Sequence, residues 1–160
     1  MTYAITPIVG IDTSTTSTYA RFSLGVTIMG DNGTTWMYVK AGSAITKYDC
    51  VAINSSFSAV PATSTLAGQG ITPGFAQVAF ANAEYGWVAL RGASGLKIRT
   101  AASTVKDSKL YIGTTGNSAG VVGSTSGTGS NLLNGVVTIA TAASATVYPG
   151  IIATNPWFAP

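Results

Sequence analysis

From Arg21 onward the apolar residues fall at every second position and are cut off after a few residues by glycine, proline or asparagine. In "RFSLGVTIM" Phe22, Leu24, Val26 and Ile28 alternate in this way, and residues two apart share a face in an extended strand, not in a helix. "GDNGTTWMYVKA" follows with Asn32-Gly33, a pair suited to a turn that needs positive φ, and then a second, aromatic strand. Further strands are predicted over residues 48–54, 74–81, 85–91, 95–101, 109–112, 119–123, 135–142 and 145–153. The punctuation between them is Gly42-Ser43, Pro73-Gly74, Gly92, Gly95, Gly113, Gly116, Asn134-Gly135 and Pro149-Gly150. Short runs at this spacing predict an all-β chain: a single compact β-sandwich or barrel domain of about 8–10 short strands over residues 21–160. Helix is expected only as one short turn within 62–69, "ATSTLAGQ".

Residues 1–20 have a different character and are expected to form an extended N-terminal arm. "DTSTTSTY" has little to bury, yet Tyr3, Ile5, Ile8, Val9 and Ile11 before it are too apolar to prefer water, which suits an arm laid against a neighbour. At 160 residues the chain is long enough to bury roughly 70% of its unfolded surface without covalent staples. The single cysteine, Cys50, cannot close an intrachain disulfide. It reads as a small buried apolar residue in preference to a reactive thiol, because nothing near it in sequence would lower its pKa.

Charge is scarce: 8% of residues are ionised, against about 25% in ordinary domains. None lies between Asp49 and Glu84, and none follows Lys109. No apolar run reaches the ~18 residues of a membrane span, and "MTYAITPIVG" lacks the basic start of a secretory signal. A soluble protein made in the cytosol is therefore expected, with no membrane partner. Charge depletion is also the mark of an interface centre, so much of the surface is expected to be covered by other protein. The net charge of +3 is too small to imply nucleic acid. Arg91, Lys97, Arg99, Lys106 and Lys109 do crowd together, and Lys97 and Arg99 alternate with Leu96 and Ile98. That face is solvated, meets an acidic protein surface, or binds phosphate, in falling order of preference.

Little catalytic chemistry is available. The chain has no histidine, which removes Ser-His-Asp and Cys-His nucleophile systems and imidazole metal ligands. No phosphate loop exists, since "GSTSGTGS" carries no lysine. Asp12, Asp31, Asp49, Glu84 and Asp107 read as turn or surface acids, so no catalytic, cofactor or metal residue is expected. Trp36, Tyr38, Tyr85 and Trp87 are either core or a sugar-stacking platform. In "AEYGWVALRG" both faces of the strand are apolar, so Tyr85 and Trp87 are expected to fill a core or a subunit seam. Trp157 and Phe158 are expected to be pinned, on their own domain or on a neighbouring subunit.

"GDNGTTWMYVKAGSAITKYDCVAI", "GQGITPGFAQVAFANAEYGWVALRG", "KLYIGTTGNSAGVV" and a final "NPWF" together resemble the capsid decoration, or cement, proteins of tailed bacteriophages, over roughly residues 21–158. The resemblance implies a structural virion protein, not an enzyme, needing no cofactor. It would bind the major capsid protein on the capsid exterior, as a homotrimer at three-fold or quasi-three-fold positions, and stabilise the shell. The interface candidates are Tyr3, Ile5, Ile8, Ile11, Arg91, Lys97, Arg99, Trp157 and Phe158. The alternative is a carbohydrate- or receptor-binding domain of a phage fibre, using Trp36, Tyr85 and Trp87.

Overall fold

The computed structural model describes residues 11–30, 32–69, 71–93, 95–113 and 118–159. Among them, ten strands and one helical turn follow in chain order: β1 (Thr27–Met29), β2 (Thr35–Ala41), β3 (Cys50–Ile53), β4 (Ser58–Pro61), α1 (Ser64–Ala67), β5 (Thr72–Phe75), β6 (Tyr85–Arg91), β7 (Leu110–Ile112), β8 (Val122–Gly123), β9 (Asn131–Thr138) and β10 (Ile151–Ala159). The all-β expectation holds, and the architecture is a closed barrel with a further sheet against it.

The barrel closes through β2. Its second half pairs in parallel with β4 at Lys40↔Ser58, and β4, β3, β5 and β6 then follow as antiparallel neighbours. On its other edge β2 pairs antiparallel with β6, from Thr35↔Arg91 to Lys40↔Tyr85, which completes a ring of five. β1 flanks the first half of β2. A five-stranded lumen is narrow, and it is filled by Val39, Ala41, Val51, Ile53, Ala59 and Val88, with Ile45, Ala76 and Phe80. Space there is tight enough to demand glycine: a Cβ on Gly74 would stand 2.6 Å from Val88, and one on Gly86 2.7 Å from the Phe80 ring. Pro73-Gly74 therefore lies inside β5 and not in the turn its composition suggests.

The wall of the barrel is buried on both sides. Cys50, Ala52, Phe75 and Ala89 alternate with the lumen residues and face outward, where Leu110, Ile112, Leu133, Val136, Ile151, Ala153 and Phe158 of the second sheet meet them. That sheet runs β10-β9-β7-β8. Two buried faces explain why β3 and β6 read as continuous apolar runs without polar alternation.

Several predicted boundaries moved, for identifiable reasons. α1 falls within 62–69, capped by Thr63, whose hydroxyl accepts the Leu66 N–H at 3.3 Å. Residues 95–101 form only isolated bridges, Lys97↔Gly150 and Thr100↔Val122. Their amides are shared among four partners: Lys97 donates to the Gln77 side chain, Ile98 to Pro149, Arg99 to Tyr48 and Ala101 to Val122. The alternation of Leu96 and Ile98 with exposed Lys97 survives without a ladder. β4 was not foreseen, because Ser58 and Pro61 give it no strand signature.

β9 lies earlier than 135–142 and β10 later than 145–153, because Asn134-Gly135 is inside β9, opposite a bulge in β10, and is not a turn. The pairing steps from Ala153↔Val136 to Trp157↔Asn134, leaving two extra residues on β10. At this crossing Gly135 has φ +70, and a Cβ there would meet the Asn155 carbonyl oxygen at 2.4 Å. Gly135→Ala is expected to cost about 2–4 kcal/mol, since backbone and not a flexible side chain must yield. Gly129 is the control: its φ is +75 but nothing lies within 4 Å, so Gly129→Ala should cost only about 1 kcal/mol. Urea midpoints of the two variants check this; equal losses would show that the bulge has room to relax.

Candidate interaction surfaces

Each described acid is engaged with groups other than acids. Asp12 accepts from the Ser14 hydroxyl and from the Ser14 N–H, the latter at 2.8 Å, and these bonds, the hydroxyl's foremost, hold its carboxyl below the ordinary value. Glu84 accepts from the Thr16 hydroxyl at 2.9 Å and the Ala81 amide at 2.8 Å. Asp107 is exposed, 3.7 Å from Lys106. Asp31 lies outside the described residues. Among the described residues no cluster of three acid or thiol groups is arranged to hold a metal ion.

Asp49 departs from the surface role its sequence context suggests. It is 1% exposed, at the junction of barrel and second layer. Its Oδ1 lies 2.9 Å from Arg99 Nε, while Oδ2 accepts the Thr46 amide at 2.9 Å. The Asp49–Arg99 approach lacks the alignment of a hydrogen bond, so it is a charge contact. Burial pushes the Asp49 carboxyl up to about 6, against the opposing pull of the Thr46 amide and the Arg99 guanidinium. Gly120, at φ +80, is what lets the loop close over it, because a Cβ would meet Asp49 Cγ at 2.5 Å. Next to it, burial and the Asp49 charge drive the Cys50 thiol far up, which makes it an inert core residue.

The aromatics of β2 and β6 are covered from within the chain. Trp87 and Tyr38 are each 2% exposed, with ring centroids 5.1 Å apart, and Phe22 sits over both at 5.4 and 5.3 Å. The segment leading into Phe22 straps the cluster down. Ser17 and Tyr85 exchange backbone hydrogen bonds of 2.9 and 2.8 Å, and the Arg21 amide donates to the Tyr38 hydroxyl at 3.1 Å. Trp36 packs instead against the second core. Trp36, Tyr85 and Trp87 thus form no open platform.

The interface candidates are scattered by this geometry. Tyr3, Ile5 and Ile8 lie outside the described residues. Ile11 is half-buried beside Tyr85 and Trp87. Arg91 is exposed, its Nε donating to the Thr35 hydroxyl at 3.1 Å. Lys97 is exposed, whereas Arg99 turns inward, to Asp49 and to the Ala119 carbonyl at 2.8 Å. Neighbouring residues of β10 take opposite faces: Phe158 is 6% exposed and Trp157 is 51% exposed. The tail is pinned on its own domain, and only one of its rings is available to a partner.

Trp157 belongs to a larger, mainly apolar surface that also takes in Asp107 and Lys109. Val137 pairs with Ile152 and Asn134 with Trp157 across β9 and β10. Together with Leu132 and Thr154 these residues line or border a groove of about 320 Å³ on the side of the second sheet away from the barrel. Val105, Ile139, Val147 and Tyr148 add exposed apolar area from the same part of the chain. Sequence reasoning named Trp157 but missed Val137 and Ile152, which lie in stretches where buried and exposed strand residues are equally apolar. The chain matches no protein-family model, no curated protein and no solved structure.

Proposed function

We propose that the chain is a capsid decoration protein of a tailed bacteriophage, a homotrimer on the outside of the shell that binds the major capsid protein and acts by binding alone. The observation that carries this reading is the groove face of β9 and β10: exposed Trp157 and Val137 on two strands that hold no ionised residue, with Asp107 and Lys109 the charged groups lining the groove. A freely dissolved surface favours interspersed charge, while an interface centre excludes it. Contacts made only to the assembled shell stabilise that shell by mass action, and many copies add avidity. The sequence resemblance to cement proteins supplies the partner class.

The test is the solution mass of the purified protein, alone and mixed with undecorated expanded capsids. A trimer and saturable decoration are expected. Trp157→Ala and Val137→Asp, both at exposed positions, should weaken decoration about tenfold or more while leaving the circular dichroism spectrum unchanged. A stable monomer with no affinity for capsids would remove the proposal.

A further inference from the structure

The first described residue, Ile11, is seated beside Tyr85 and Trp87. From there the strap is fixed to the start of β6 by the Ser17–Tyr85 backbone pair. Ten residues precede Ile11, "MTYAITPIVG", with Tyr3, Ile5, Ile8 and Val9 among them and no ionised side chain. Pro7 has no N–H to give, so this segment is ill suited to extend a sheet at its edge and better suited to lie across a face, held by its side chains.

The groove on β9 and β10 matches it in length and chemistry. The two strands run paired from Leu132↔Ala159 to Thr138↔Ile151, a length of about 23 Å, and an extended Tyr3–Val9 segment is equally long. Neither strand holds an ionised residue, and Leu132, Val137 and Ile152 line a hollow of about 320 Å³. Asp107 and Lys109 also line it, and both are exposed. An uncharged occupant leaves them in water and buries no unpaired charge.

A chain cannot fill its own groove in this way. Once residues 3–9 lie in a groove, Gly10 alone connects them to Ile11, a reach of about 7 Å. Ile11 sits at the Tyr85 end of β6, whereas β10 joins the chain just past the other end of that strand, through Gly92↔Ala153. Tyr85 and Gly92 are about 20 Å apart along the strand, and the groove opens on the far side of a sheet that itself packs about 10 Å from the barrel wall.

We propose that residues 3–9 of one copy fill the β9–β10 groove of a second copy placed against its strap. Three such head-to-tail contacts close a ring. The inference rests on the reading of the protein as a homotrimer, and it names the seam between the subunits.

The experiment uses the full chain carrying Ile5→Cys and Val137→Cys, treated with a short bismaleimide and read on a denaturing gel, with no capsid present. Val137 is exposed, while the native Cys50 is fully buried with its thiol pushed far up, so it stays out of the reaction. Linked dimers and trimers are expected, at least about tenfold more than from either single-cysteine variant, because thiols held together in an assembly meet at a high effective concentration. Adding Tyr3→Asp and Ile8→Asp should lower the linked fraction about tenfold. Monomers alone, a bridge closed within one chain, equal linking from a single-cysteine variant, or no effect of the two aspartates would each overturn the inference. Capsid decoration by a protein that does not link would leave the proposed function standing, and linked rings with no affinity for capsids would remove that function and keep this inference.

Discussion

Replacing Arg99 by leucine is expected to cost about 3–5 kcal/mol of folding stability at neutral pH, the usual consequence of leaving a buried carboxylate without its counter-charge. The size follows from burial: Asp49 is 1% exposed and keeps only the Thr46 amide once the guanidinium is gone. The deficit should shrink as the pH falls and Asp49 takes up a proton. Wild type has a related signature. Its Asp49 carboxyl is raised by burial from 3.8 to about 6, so the folded state holds the proton more tightly than the unfolded chain. The stability linked to that proton is full below pH 3.8 and is lost as the pH rises through about 6. Asp49→Asn keeps an acceptor for the Thr46 amide and removes the titration, so it should flatten this part of the profile. Urea denaturation of the three proteins across that range makes the comparison; a wild-type profile no steeper than that of Asp49→Asn would show that burial does not govern this carboxyl.

The second large effect is expected at Trp87. Trp87→Ala should cost about 3–5 kcal/mol, because a fully enclosed indole is replaced by a void that the rigid strands around it cannot fill. Its neighbours Phe22, Tyr38 and Tyr85 lose their common packing surface, and the strap that crosses them through Ser17 and Arg21 loses its footing. Denaturation by urea should register the loss in stability, and limited proteolysis should show earlier cleavage within residues 11–22. A variant as stable as wild type, with the strap equally resistant, would mean that the ring is not the keystone of this face.

The strand β6 shows how far the residues alone could lead. The alternation in "YGWVALR" identified its ends correctly, and its two apolar faces announced burial on both sides, since the barrel lumen takes one and the second core and strap take the other. Residues 95–101 carry the same alternation and are not a strand, because which neighbour accepts each amide is decided by loops far away in sequence. Asp49 was misread for a similar reason: its burial is made by Gly120 and Arg99, and no local pattern ties the three together. At the tail, local sequence identified two aromatic anchors, but the bulge in β10 opposite Gly135 sets which of them turns in, Phe158, and which turns out, Trp157.

The order in which the two layers leave the ribosome has its own consequence. Every stave of the ring is out by Arg91, whereas the lid over its outer wall is finished only with β10, which ends at Ala159. Until then a nascent chain can close its lumen but still shows Cys50, Ala52, Phe75 and Ala89 to water. Truncated products ending between these points are thus the sticky species, and expression yield should depend on how quickly translation clears this interval.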